Sequence, residues 1–293
     1  MNFQQFLGWL KQKSQPHSDF SFNKPLVMGV LNITAESFYD GGKYLSLDRA
    51  CEHAYELLAQ GADLIDVGGE STKPGAQALP SEIELSRVIP VINELRKHSD
   101  VCISIDTNKP EVMEHAIKAG ANIINDIYAL RKDGAMAMAA ALDAPVCLMH
   151  MQGEPQTMQI NPNYSEGIMS ELSVFFDERI QSCEQAGIKR EHLIIDPGFG
   201  FGKHARDNLK LMYHLKELTQ WGLPVLLGVS RKSTIGAVLQ KEVDQRLIGS
   251  IALSVFASMN GAAILRTHDV DETQQALTII QAIHQAEACE MNE

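Results

Sequence analysis

The chain lacks the residue patterns that mark several common chemistries. Its five cysteines, Cys51, Cys102, Cys147, Cys183 and Cys289, form no CxxC pair and no metal-ligand spacing. That argues against a disulfide framework and a zinc module. Cys102 and Cys147 lie inside apolar runs and read as small core residues, as expected in a reducing cytoplasm. No stretch reaches the ~18 consecutive apolar residues of a membrane span. Positive charge is scarce: 25 Lys and Arg face 37 Asp and Glu, a net −12. Bulk electrostatic binding of nucleic acid is therefore not expected, although a small anion is still allowed because local field decides that case. No linker rich in Gly, Pro or Ser divides the sequence. The reading is one domain over 25–293, preceded by a short helix and linker over 1–24 that packs on it. Phe3, Phe6, Leu7 and Leu10 have helical spacing, and no secretory signal pattern is evident there.

What the sequence does have is repetition of one design. Eight short apolar runs end in or next to polar residues: Leu26 to Asn32, Leu64 to Asp66, Val101 to Asp106, Ile123 to Asn125, Pro145 to His150, Leu193 to Asp196, Pro224 to Ser230 and Ala263 to Arg266. A strand buried on both faces reads as such a run. Helical periodicity fills the gaps, over Leu47 to Gln60, Ser81 to Lys97, Pro110 to Ala119, Gly134 to Leu142, Tyr164 to Ala186, Asp207 to Leu218, Val243 to Met259 and Asp271 to Ala286. Gly61, Gly120 and Gly261 each end a helix just before a strand, where a left-handed cap is needed. Strand and helix alternating eight times predict an α/β fold, a closed (β/α)8 TIM barrel. Polar side chains at the C-terminal strand ends then line its site.

The loops after the strands carry the chemistry. Asn32 to Gly42 and Gly68 to Gly75 are small, polar and glycine-punctuated, as lid loops are. Asp196-Pro-Gly-Phe-Gly-Phe-Gly-Lys203 fits neither G-x-G-x-x-G nor a Walker loop, so its glycines are read as tight turns beside a flat ligand. Phe199 and Phe201 are each open to two readings, an apolar wall or core packing. Arg231, Lys232, Arg266 and His268 gather cations after the seventh and eighth strands, the quarter where barrels bind phosphate, with Asn32 beside them. Asp106, Asn125 and Asp196 are buried polar strand ends that need donors, which the N–H-rich edge of a pterin or guanine supplies. Asp63 and Asp66 are read as bonding loop backbone, without a role in the site. No role is assigned to His150, which has no zinc spacing with His53 or His115. Val243 to Met259 carries more apolar residues than one buried stripe requires, which points to a subunit interface.

Taken in order, Met28-Gly-Val-Leu-Asn-Ile-Thr34, Ser37-Phe-Tyr-Asp-Gly-Gly42, Asp66 to Gly75, Ser104 to Pro110, Asn122 to Asp126, Leu148 to Gly153, Asp196 to Lys203, Gly228 to Ser233 and Arg266 to Val270 resemble the dihydropteroate synthases. The resemblance implies condensation of 6-hydroxymethyl-7,8-dihydropterin pyrophosphate with 4-aminobenzoate, releasing 7,8-dihydropteroate and pyrophosphate. By that resemblance Asp106, Asn125, Asp196, Lys232 and Arg266 hold the pterin. Asn32, Arg266 and His268 hold the pyrophosphate, and Asn32 offers an oxygen to Mg²⁺. Thr72, Lys73, Pro74, Phe201 and Ser233 frame the aminobenzoate. Asp106, Lys232, Arg266, His268 and Asn32 are the catalytic set, and a cytoplasmic homodimer is implied. Ala35, Glu36 and Tyr39 depart from the family's usual Pro, Asp and Ser, which bears on loop closure. Two other readings stay open: a corrinoid-linked methyltransferase domain and a catalytically silent pterin-binding subunit. Glu70 to Pro74 and Ser230 to Lys232 count against the first, and the complete set of rim residues counts against the second.

Overall fold

The structure is a computed structural model and describes residues 1–14, 22–33, 42–73 and 75–290. A helix α1 (Phe3–Lys13) precedes the first strand. The chain then runs β1 (Leu26–Asn32), α2 (Gly42–Ala59), β2 (Leu64–Gly68), α3 (Ser81–His98), β3 (Cys102–Asp106), α4 (Pro110–Ala119), β4 (Ile123–Asp126) and α5 (Ala135–Leu142). It continues with β5 (Val146–Met149), α6 (Ile168–Gln185), β6 (Leu193–Asp196), α7 (Ala205–Tyr213), β7 (Val225–Leu227), α8 (Ser233–Leu239), α9 (Leu247–Met259), β8 (Ala262–Thr267) and α10 (Val270–Glu290). The eight strands are parallel and close in sequence order, β1 pairing with β8. The expected barrel is therefore present.

Alternation along each strand separates two cores. Val27, Leu31, Ile65, Val67, Ile103, Ile105, Ile124, Leu148, Ile195 and Leu227 belong to the shell packed under the helices. Met28, Leu64, Cys102, Ile123, Cys147, Ile194, Leu226 and Ile264, one from each strand, make a separate cluster inside the barrel. Phe6 and Leu10 of α1, both fully buried, join that inner cluster and close the N-terminal foot of the barrel. The segment is pinned by Asn2, whose side chain accepts from Gln5 N in a capping box, and by Cys102 N donating to Met1 O. The inner residue one step further up five of the strands is Asp66, Ser104, Asn125, Asp196 or Arg266. The foot is thus apolar and the mouth polar.

Several expected boundaries move. α2 begins at Gly42 rather than Leu47, and α6 begins at Ile168 rather than Tyr164. α7 stops at Tyr213 and is followed by a 3₁₀ segment, Leu215–Trp221. β7 spans three residues, so Gly228 to Ser230 form a turn rather than strand. A helix not foreseen, α8, runs only from Ser233 to Leu239, and Ile235, Val238 and Leu239 span too short a stretch to signal a period. The cap glycines behave as read: Gly61, Gly120 and Gly261 take φ of 96°, 116° and 93°. Cys102 and Cys147 are buried free thiols. Ala35, Glu36 and Tyr39 of the first loop, and Pro74, lie outside the described residues.

Candidate active site

The mouth of the barrel is built on ion pairs across it. Arg266 of β8 donates from Nε to Asp66 Oδ2 at 2.6 Å and from Nη2 to Asp106 Oδ2 at 3.0 Å. Asn125 of β4 donates from Nδ2 to both Asp66 oxygens, at 3.2 and 3.3 Å. Asp66 is fully buried and holds together two of the residues read as ligand-binding. The expectation that it only bonds loop backbone is therefore wrong; Asp63 does bond backbone, but that of strand β1, accepting from Val27 N at 2.9 Å. Burial and the adjacent Asp66 raise the Asp106 pKa against the pull of Arg266. The same two carboxylates outweigh desolvation at Arg266 and raise its pKa, so the guanidinium is a fixed positive charge in the mouth.

Asp196 ends β6 on the other side. Its Oδ1 accepts from Gly198 N at 2.7 Å, and burial raises its pKa against the opposing field of Lys232. Lys232 Nζ donates to the Phe199 carbonyl and lies 4.4 Å from the Phe201 ring centroid. Desolvation lowers its pKa to about 8 although Asp196 works the other way. Phe201 is a half-buried wall beside that ammonium, whereas Phe199 is fully buried in the outer core. Phe199 therefore takes the core-packing reading, while Phe201 packs on Ile127, Met149, Met151 and Met158 and lies beside Lys232. Gly200, at φ 84°, lets the backbone run beside Lys232; a Cβ there would come within 2.8 Å of Lys232 Cδ.

Lys203 and His150 were not foreseen as partners. Lys203 is buried, with Nζ 2.9 Å from His150 Nδ1 and donating to the carbonyls of Gly198 and Phe201, each at 3.0 Å. An internal ammonium thus gathers the 196–203 turn. Desolvation lowers its pKa to about 7 and moves the His150 pKa well down, leaving a neutral imidazole as acceptor. A lysine closing a run of glycines was the available signal.

At the phosphate quarter, His268 Nδ1 lies 3.0 Å from Ser230 Oγ, which also accepts from His268 N at 3.2 Å. Desolvation and the cations Arg266, Arg231 and Lys73 lower the His268 pKa. Asp269 opposes this shift. Arg231, expected to grip phosphate, is instead paired with Asp269 through Nε at 3.1 Å and Nη2 at 2.5 Å. Its charge is spent on bracing the turn after β7, where its own φ is 57°.

Asn32 and Asp106 flank Gly68: a Cβ there would lie 3.5 Å from Asn32 Oδ1 and 3.5 Å from Asp106 Cβ. Asn32 is exposed, and its side chain makes no hydrogen bond to the described residues. Thr72 is half-buried, while Lys73 and Ser233 are exposed on the rim. The mouth therefore offers acceptors from β3, β4 and β6, a fixed cation from β8, and a lysine from the turn after β7. Flat N–H donors and an anionic group fit it together. Ser230 Oγ, beside His268, also accepts from His268 N and donates to Asp269 Oδ2 at 3.4 Å, so it is tied into the turn after β7.

Residues 28–268 match the family of pterin binding enzymes. The dihydropteroate synthase of Escherichia coli K12 is 49% identical over 265 residues, covering 90% of this chain and 94% of that protein. A crystal structure of the Yersinia pestis dihydropteroate synthase with a sulfonamide drug complex superposes with a TM-score of 0.85 at 48% identity, over 89% of this chain and 95% of that one. The Xanthomonas albilineans dihydropteroate synthase with 4-aminobenzoic acid gives 0.84 at 47% identity, over 89% and 94%. With the mouth of the barrel and these likenesses agreeing, the chain belongs to the pterin binding enzymes and, among them, to the dihydropteroate synthases.

Proposed function

We propose that the chain is a transferase that joins 6-hydroxymethyl-7,8-dihydropterin pyrophosphate to 4-aminobenzoate, giving 7,8-dihydropteroate and pyrophosphate for folate synthesis. The observation that carries this is Arg266 held between Asp66 and Asp106, near Asn125, with Asp196 at the end of β6 and Lys232 in the turn after β7. Asp196 takes the amino and N3–H donors of the pterin edge, Asp106 and Asn125 take the other side, and Lys232 faces its oxygen and N5. Arg266 lies against the ring and, with His268 and Asn32, receives the pyrophosphate. Thr72, Lys73, Pro74, Phe201 and Ser233 frame the aminobenzoate.

The bond from the pterin methylene carbon to the pyrophosphate oxygen breaks, and its electron pair leaves with pyrophosphate. The carbon is left cationic and conjugated with the electron-rich ring. The aromatic amine then donates its lone pair to that carbon and loses a proton. No protein nucleophile is needed. The task of the side chains is to stabilise the departing charge, usually the largest catalytic term, and to keep water from the cation.

Mg²⁺ fits as a companion of the pyrophosphate. Among the described residues no group of three or more His, Cys, Asp or Glu forms a cage. A single oxygen, Asn32 Oδ1, suits an ion that keeps water and substrate phosphate in its shell. When bound, the ion would neutralise leaving-group charge. A homodimer is proposed through α9 and α10, where Ile248 is 82% and Ile279 63% exposed beside Leu247, Ile251 and Ala276. A cytoplasmic setting agrees with four buried free cysteines, and no helix among the described residues is long and apolar enough to cross a membrane.

The deciding experiment measures pyrophosphate release with and without 4-aminobenzoate and Mg²⁺. Release that requires Mg²⁺ and is completed by 4-aminobenzoate is expected. No release under any condition would favour a silent pterin-binding subunit.

A further inference from the structure

Three residues beyond Asp106, where β3 gives way to α4, stands Lys109. It has no assigned part in the site, and its surroundings are unusual. Its Nζ donates to Glu70 Oε2 at 2.6 Å and to Glu84 Oε2. Glu84, on the first turn of α3, is wholly buried, and its other oxygen has no partner among the described residues. A buried carboxylate of this kind is tolerated only while its cation is present. Glu70 is the second residue beyond β2, and the same Oε2 also accepts from Leu79 N at 2.8 Å. One ammonium therefore joins the start of that loop, its return at Leu79, helix α3 and the end of β3.

The neighbouring contacts act in the same direction. Arg87 of α3 donates from Nη1 to the Gly69 carbonyl at 2.7 Å. Gly69 lies flush on α3: a Cβ would come within 2.8 Å of Val88 Cγ1 and 2.9 Å of Glu84 Cγ. Further along, Gly75 N donates to Pro155 O at 3.0 Å, tying the loop to the one after β5. Between these anchors Ser71, Thr72 and Lys73 have no long-range hydrogen bond among the described residues; Lys73 is felt only through the field it exerts on His268. The direction of Thr72 and Lys73 is thus set by where the loop is fastened.

We propose that Lys109 is a positioning residue for the aminobenzoate half of the site, holding Glu70 and Glu84 together so that Thr72 and Lys73 face the rim. This rests on the functional reading above and extends it. Lys109 touches neither substrate; it acts through Glu70. Because Asp106 and Lys109 share one strand end, the backbone that presents a pterin acceptor also fastens the second substrate's loop.

The test uses the full chain and three variants: Lys109→Met, Glu70→Ala and the two combined. The expected result is a rise of about tenfold or more in KM for 4-aminobenzoate in each single variant. Pterin affinity by calorimetry stays within about twofold, and the double variant is no worse than the poorer single one. Equal effects on both substrates, or effects that multiply in the double variant, would overturn the proposal. Should Lys109→Met fail to fold with Glu84 left unpaired, Glu70→Ala decides alone, since it keeps the Lys109–Glu84 pair; an unchanged KM for 4-aminobenzoate then refutes the clamp. A wild-type chain that turns over neither substrate would fail the functional reading instead. Amide exchange over residues 69–73 would still judge the clamp, with faster exchange expected in Glu70→Ala and unchanged exchange overturning it.

Discussion

Asp66→Asn is the sharpest probe of the mouth, because shape is kept while two properties are lost. The wild-type Oδ2 receives Arg266 Nε at 2.6 Å and Asn125 Nδ2 at 3.2 Å, and Oδ1 receives the same Asn125 nitrogen at 3.3 Å. An amide supplies one oxygen, which the shorter Arg266 contact will claim. Its NH₂ group then faces the NH₂ of Asn125, donor against donor. A hydrogen bond to a charged partner is worth about 1 kcal/mol more than a neutral one, and an unmet buried donor costs about another. Arg266 also loses one of its two anions and is drawn towards Asp106, while Asn125 must rotate and change the edge it shows a ligand. The sum, about 2 kcal/mol, corresponds to about a thirtyfold loss of affinity. Titration calorimetry with the pterin pyrophosphate measures it directly, with circular dichroism to confirm the fold. A folded variant whose dissociation constant stays within about threefold of wild type would refute the view that Asp66 organises the site.

Lys73→Ala is expected to raise KM for 4-aminobenzoate several-fold more than KM for the pterin substrate in steady-state assays; equal rises would remove the division of the rim. Asp196→Asn should weaken pterin binding by about tenfold or more, since a charge-assisted pair becomes a neutral one; unchanged affinity in calorimetry would sink the assignment. For pH, burial disfavours the Lys232 ammonium and lowers its pKa to about 8, against the pull of Asp196. Below that pH folded and unfolded chains both carry the proton, and burying the charge is a cost. Between about 8 and the ordinary lysine value the folded chain sheds the proton first, so this cost is relieved and stability rises. Pterin affinity should move the opposite way, falling above about pH 8. Lys232→Met should flatten both trends in denaturant titrations and calorimetry; trends that survive the substitution would exclude Lys232 as their source.

The barrel was legible in the sequence because strands buried on both faces leave short continuous apolar runs, and eight of them alternate with helical stretches. Asp106, Asn125 and Asp196 were legible for the same reason: a polar residue ending such a run is costly to bury unless a partner or a ligand meets it. Asp66 has the same signature. What separates it from a loop-bonding aspartate is Arg266, 200 residues away, and no local pattern reports that pairing. Arg231 shows the converse. Its place beside Lys232 in a basic segment suggested phosphate, yet Asp269, 38 residues on, already holds it. Phe199 and Phe201 alternate identically in sequence, and only the φ > 0 turns at Gly198, Gly200 and Gly202 send one ring inward and the other to the mouth. Lys109 and Lys203 look like ordinary solvated lysines until the fold surrounds them with carboxylates or carbonyls.

The helix beneath the barrel bears on how the molecule is made. Phe6 and Leu10 precede every strand in the chain and so leave the ribosome before any of them. The inner cluster they join includes Ile264 of β8 as well as Leu26 of β1, so it is complete only when the last strand has arrived. Through synthesis the helix must wait as a short amphipathic segment with nothing to cover its apolar side, and such segments are marginal alone in water. Its docking is therefore a late, long-range event that reports ring closure. A chain halted before β8 would keep both the helix and the inner faces of seven strands uncovered, the state most prone to aggregate and most visible to chaperones.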